Sequence, residues 1–228
     1  MSDATAGRRF GEGPLSRAAT LIYSLLVVEL LFLATTMPGL IGLTLLDRDA
    51  GNIPLAAACV LPVGPALSAA LYALHHRSRD MTDLRPAAAF WHGYKINFVG
   101  VVKIWIPWLA WLTIIGTNLA HFAAAGVPGW WAVLLVLIAV AAILWAANAL
   151  VIISLFEFRA IDIVRLASYF LIRSARATLG NVCLLVVSVG VIVAASEALL
   201  ALLAFAFAAA LLRNCRPMIV EIQERFTR

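Results

Sequence analysis

Five long, nearly uncharged apolar runs constrain this chain more than anything else in it: about 18–46, 53–74, 97–120, 130–156 and 182–212. Each is near or above the roughly 20 residues an α-helix needs to cross a bilayer. Backbone at that depth has no water to bond, so each segment must close its own hydrogen bonds, and a helix does so. Of the 228 residues, 64% are hydrophobic and 13% charged, against about 45–50% and about 25% in soluble domains. A soluble chain of this size cannot hide that much apolar surface. The composition excludes a soluble enzyme, a disordered chain and a disulfide scaffold. The runs are also unlike the short alternating strands of a membrane β-barrel. The expected fold is all-α, a polytopic transmembrane bundle of five to six helices, with a kinked or broken second helix and an amphipathic cytoplasmic helix.

Charge sets the expected orientation. The 17 Lys and Arg exceed the 12 Asp and Glu, and they gather at the ends of the apolar runs. Three lie in 1–17, one in 47–52, four in 75–96, none in 121–129, four in 157–180 and four in 213–228. By the positive-inside rule the N-terminus, the 75–96 loop and the 157–180 segment face the cytoplasm. The expected divisions are a cytoplasmic tail over 1–17, a transmembrane domain over 18–212 and a short basic tail over 213–228, in a bacterial inner membrane. Arg8-Arg9 resembles a twin-arginine signal, but the run behind it is too long for one, so an uncleaved signal-anchor is expected. No basic stripe stands free of the membrane, and nucleic acid is not an expected partner. Cys59, Cys183 and Cys215 fit no disulfide or metal spacing and read as small packing residues.

Two segments leave their threading open. Within 157–180, Asp162, Arg165, Tyr169, Arg173 and Arg176 recur every three or four residues between apolar ones. That pattern is an amphipathic helix, lying on the membrane surface or extending the fourth span. The run 182–212 would reach roughly 46 Å as one helix and would hold Glu197 in hydrocarbon, at about 2.5–3.5 kcal/mol. A hairpin of two short helices with Ser196-Glu197 at its tip is the favoured alternative, and it returns the basic C-terminus to the cytoplasm. Pro38-Gly39 is expected to kink or end the first helix, and the third run carries Pro107.

The candidate polar membrane site rests on six residues. Glu29 lies roughly 16 Å into the first helix, where an ionisable group is a functional hypothesis by default. Lys103 enters from the same side about 9 Å into the third helix, so a Glu29–Lys103 pair is one expectation. Helix locking, a polar substrate site and a proton relay are the roles open to it. Asn148 sits deep in the fourth run, and Thr113, Thr117 and Asn118 in the outer half of the third. Helix bridging or ligand contact is open to each. Pro62 and Pro65 remove backbone donors, and a break in a bilayer must line a cavity or be covered by protein. Gly64 and Ser68 add a small-xxx-small face. His75, His76 and His92 share a loop but lack acidic partners. No catalytic, cofactor-binding or metal site is expected.

A candidate partner surface comes from the cationic, aromatic loop 75–96 and the amphipathic segment. Arg77, Arg85, Phe90, Trp91, Tyr94 and Lys95 would join Arg165 and Arg173. Such a surface meets anionic lipid as an interfacial belt or docks a protein, since Trp, Tyr and Arg dominate hot spots.

Two stretches carry a resemblance. Val63-Gly64-Pro65-Ala66-Leu67-Ser68-Ala69-Ala70-Leu71-Tyr72 and Phe90-Trp91-His92-Gly93-Tyr94-Lys95-Ile96-Asn97-Phe98 resemble the paired segments of the YesL-like family of small bacterial membrane proteins. The resemblance implies five or six helices and a setting beside sugar ABC transporters and glycan-degrading enzymes, with no reaction and no catalytic residues. The expected function is thus a non-enzymatic accessory or assembly subunit in carbohydrate uptake, with sugar ABC transporter components or a second copy of the chain as partners alongside the lipid bilayer. The alternative is an autonomous small transporter for a sugar or other solute, with Glu29, the Pro62–Pro65 break and Asn148 lining its path. A third reading, an intramembrane lipid-modifying enzyme, needs two convergent reactive groups near one depth, and the sequence shows too few.

Overall fold

The structure, a computed structural model, describes residues 14–47, 49–76, 85–194 and 197–226. Five of its segments are long and apolar enough to cross a membrane: Leu21–Leu45, Ala50–His75, Pro86–Ala120, Trp130–Leu155 and Ala175–Ala194. A sixth, Ala204–Asn214, is a shorter apolar helix. The chain is a multi-pass helical bundle of the membrane type.

The first run is α1 (Pro14–Leu45), and Pro38 lies inside it. A proline forfeits one bond of the ladder, yet the helix continues to Leu45 because its far end is packed. A Cβ on Gly39 would collide with the carbonyl oxygen of Cys59, and one on Gly42 would come 2.6 Å from Cys59 Sγ. The two glycines let α1 and the next helix lie nearly backbone to backbone.

The second run is broken, as its prolines imply. It forms α2 (Ile53–Cys59) and α3 (Val63–His75), separated by a turn at Val60–Pro62. Pro62 caps α3 and Pro65 lies in its first turn, where backbone N–H groups have no partner within the helix and a proline costs nothing. Small residues then make α3 the centre of the bundle. Gly64, Pro65, Ala66, Ser68, Ala69, Ala70, Leu71 and Ala73 are all buried, and with so little side chain between them the neighbouring axes approach closely. On one side Ala66, Ala69, Ala70 and Ala73 meet Val28, Phe32 and Phe90. On the other, Leu71 joins the larger cluster built from the later helices.

The third helix, α4 (Pro86–Ala120), starts earlier than expected. Pro86 opens it, in the position proline tolerates best, so Phe90–Lys95 are helical and not part of the loop. Its 35 residues span roughly 52 Å against a hydrocarbon core of about 30 Å. Next comes α5 (Trp130–Leu155), which ends in extended backbone at Phe156 and Arg159.

The amphipathic segment is α6 (Ala160–Arg173), followed after Ser174 by α7 (Ala175–Ala194). It does not extend the fourth span. The Trp145 indole N–H donates to Ser168 Oγ at 3.1 Å, so α6 doubles back against α5. The last run divides into α7, α8 (Glu197–Leu202) and α9 (Ala204–Asn214). Gly180 lies against the Asn214 side chain, while Leu184 and Ser188 line the same crevice as Leu211 and Phe207. Positions rising along α7 therefore meet positions falling along α9, and the two form the antiparallel hairpin. Ser196, at the expected tip, lies outside the described residues, as do the 1–13 segment and Arg77.

The C-terminal tail is a helix, α10 (Arg216–Phe226). Its Met218, Ile219 and Ile222 enter the core beside Ile163, Leu166 and Phe170 of α6. Glu221 Oε1 lies 3.5 Å from both Arg173 Nε and Arg225 Nη1, without hydrogen-bond geometry to either.

Candidate functional site

Glu29 is buried, with 6% of its surface exposed. Its partner is the main chain: the N–H of Phe205 donates to Oε2 at 2.8 Å. Leu203 precedes α9 and supplies no capping side chain, and Phe205 is the second residue of the helix. A cap residue's own oxygen normally serves the N–H at that position. Glu29 performs the cap from another helix, placing a carboxylate where the aligned peptides of α9 carry partial positive charge. Oε1 has no hydrogen-bond partner among the described residues.

The expected Glu29–Lys103 pair does not form. Lys103 is exposed on the outside of α4, while Val101 and Trp105 on either side of it are buried. Two residues are roughly 200° of helical rotation, so a register that buries 101 and 105 turns 103 outward.

The break in the second span is covered by protein. Trp105 Nε1 donates to the carbonyl of Val60 at 3.3 Å, and a Cβ on Gly64 would come within 2.6–2.8 Å of the Trp105 ring. Gly64 is small so that the indole can lie over the turn and bond its carbonyl.

Asn148 belongs to a separate network that the sequence only half reveals. The Asn181 amide donates to Asn148 Oδ1 at 3.3 Å and contacts Cys215 Sγ at 3.6 Å, and Asn214 donates to Asn181 Oδ1 at 3.4 Å. These groups tie α5 to both arms of the α7–α9 hairpin. Burial pushes the Cys215 thiol up to about 11, against a smaller opposing pull from Asn181. Thr113, Thr117 and Asn118 instead bond carbonyls of their own helix, at Leu109, Thr113 and Ile114.

The two stretches that carry the family resemblance face each other. A Cβ on Gly93 would lie 2.7 Å from the Tyr72 side chain. The Ser68 and Ser154 hydroxyls are 2.8 Å apart, and Asn97 donates to the Ser154 carbonyl at 3.4 Å. Together they form the seam between α3, α4 and α5. Tyr72 also gathers the imidazoles, with ring centroids 4.1 Å from His76 and 5.7 Å from His92. Among the described residues no three His, Cys, Asp or Glu are placed to hold a metal ion.

Of the candidate partner surface, Arg85, Trp91, Lys95 and Arg165 are exposed and Tyr94 is half-buried. Phe90 is not part of it: it is fully buried in the cluster with Val28 and Phe32. Arg173 lies over the Tyr169 ring at 5.5 Å and beside Glu221. The bond from Asn97 to the Ser154 carbonyl sets the first third of α4 beside the end of α5, so Arg85, Trp91 and Lys95 lie toward and beyond that end of the bundle.

Glu29, the Val60–Pro62 turn and Asn148 thus have three different sets of partners, on α9, on α4 and on α7. Residues 25–119 match the model of a family described as "Protein of unknown function, DUF624", to which YesL-like proteins belong. The match runs from α1 through α4 and contains both resembling stretches. No curated protein and no solved structure matches the chain.

Proposed function

We propose that the chain is a non-enzymatic accessory or assembly subunit of a bacterial inner-membrane complex, oriented with its N-terminus in the cytoplasm. The observation that carries this reading is the engagement of Glu29. A carrier built on that residue needs it at a polar cavity, and here its carboxylate caps α9 inside a closed helix contact. Asn148 and the broken second span are likewise taken up by other helices. What remains available is the exposed start of α4 bearing Arg85, Trp91 and Lys95, residue types that anchor protein contacts. The density of positive charge supports a cytoplasmic position for that end. A role in carbohydrate uptake rests on the resemblance to YesL-like proteins, which implies sugar ABC transporter components as partners.

The test pairs a capture with a flux measurement. Tagged protein solubilised from its native host is expected to recover transporter subunits, and the joint variant Trp91→Ala with Lys95→Ala to lose them. The purified chain in liposomes is expected to pass no labelled sugar. Sugar flux by the chain alone, or capture unchanged by the double variant, overturns the reading.

A further inference from the structure

The crevice between the arms of the α7–α9 hairpin and α5 has a chemistry of its own. It measures about 160 Å³ and is walled by Leu144 and Ala147, Leu184, and Phe207 and Leu211. Ala147 lies eight residues from the end of α5, and the crevice reaches to Ile143, so it sits roughly 12–18 Å inside that end, mid-depth in a core of about 30 Å.

Its polar groups ask for nothing further. Asn181 lines it, but that amide donates to Asn148 and accepts from Asn214. Ser188 lines it, and its hydroxyl donates to the Leu184 carbonyl of its own helix at 2.8 Å. A sugar here would leave its hydroxyls unpaired, which costs about 1–3 kcal/mol for each. Water fares no better: the volume equals about five molecules at ~30 Å³ each, and each needs two to four polar partners. The crevice is open to its surroundings, and its walls are apolar apart from Asn181 and Ser188. Val186, Val187 and Val189 of α7 are 65%, 54% and 51% exposed, and Leu137 of α5 is 60% exposed. These residues meet hydrocarbon in a bilayer, and the open side of the crevice meets the same hydrocarbon.

We propose that this crevice seats one acyl chain of a bilayer phospholipid, inserted between α5 and the hairpin. The chain supplies the packing that α5 and α7 lack there, and its hydrocarbon needs no partner that the walls do not offer. Asn181, the one amide in the wall, is taken up by Asn148 and Asn214 and leaves the acyl chain an apolar seat.

The test uses the full chain in nanodiscs of palmitoyl-oleoyl phosphatidylcholine doped with the same lipid carrying a mid-chain diazirine. After irradiation, label is expected to concentrate on Leu184, Phe207 and Leu211 over the bulk-facing Val187 and Val193. Ser188→Leu and Ala147→Leu each fill the space from a different helix, and Ser188→Leu breaks no contact between helices. Each is expected to cut crevice labelling about tenfold, the ratio given by 1.4 kcal/mol of lost affinity, and to leave Val187 labelling unchanged. Labelling no denser in the crevice than on Val187, or unaltered by both substitutions, overturns the proposal. Labelling by a diazirine fatty acid but not by the phospholipid also overturns it.

Discussion

Substituting Glu29 tests whether one carboxylate fastens the second half of the bundle to the first. The 2.8 Å bond from Phe205 N lies in the short range typical of charge-assisted hydrogen bonds, and the site admits almost no water. Glu29→Ala removes the acceptor and orphans a buried N–H, at about 1–3 kcal/mol. For a chain of this length that lowers Tm by roughly 2–12 °C, at about 2–4 °C per kcal/mol. Glu29→Gln keeps an acceptor for Phe205, removes a buried charge and places an amide where Oε1 already lacks a partner, so it is expected within about 1 kcal/mol of the parent. Glu29→Leu fills the volume but still orphans the N–H, and falls with alanine. Thermal unfolding of the purified chain in detergent, followed by circular dichroism, orders the three. If Gln is as damaging as Ala, charge and not the acceptor holds α9. If Ala is silent, Glu29 is no cap at all.

Three further outcomes follow from the packing. Gly64→Val and Gly93→Val drive side-chain atoms into Trp105 and Tyr72 and are expected to cost about 1–3 kcal/mol each, while Gly190→Val, with nothing within 4 Å of its Cβ, leaves Tm unchanged in the same melt. A double-mutant cycle on Asn148→Leu and Asn181→Leu is expected to give a coupling of about 0.6–1.7 kcal/mol, and a value of zero denies that the two amides bond. Cys215, fully buried and pushed up to about 11, is expected to resist a water-soluble maleimide at pH 8 until the chain unfolds. An unfolded thiol ionises near 8.5, so the unfolded state binds fewer protons between about pH 9 and 11 and the folded chain loses stability as pH rises through that window. Cys215→Ala removes that alkaline loss, as equilibrium denaturation at pH 8 and pH 10.5 would show.

Features that depend on neighbouring residues are legible in the sequence. Run length places α5 within a residue of its ends, and two prolines three apart place the break before α3. What escaped depends on partners that sequence does not spell out. Glu29 is conspicuous as a charge among leucines and valines, but its partner is a backbone N–H 176 positions away, and no letter marks an N–H. Lys103 misleads for the same reason: depth alone suggests a pair, and only the register of α4 turns it away. Phe90 reads as exposed if its segment is a loop. Once Pro86 starts a helix, 90, 93 and 97 fall on one face, and that face packs on α3 and, at Asn97, on α5. Asn148 is visible as an amide deep in an apolar run, whereas Asn181, Asn214 and Cys215 sit near run ends, where polar residues are ordinary.

The bonds that close the site also bear on where a function can reside. The family match ends at residue 119, and α1 to α4 within it provide the α3–α4 seam and the cover over the broken span. Yet Glu29 bonds Phe205, Ser68 meets Ser154, and Asn97 bonds the Ser154 carbonyl, and each of those partners lies beyond the match. Inside a bilayer such groups find no water to replace a missing partner. The first four helices are therefore completed by the later ones, and the exposed end that carries Trp91 and Lys95 is held in place by α5. Any partner that docks there reads a surface assembled by both halves, so the unit that acts is the whole bundle and not the matched segment.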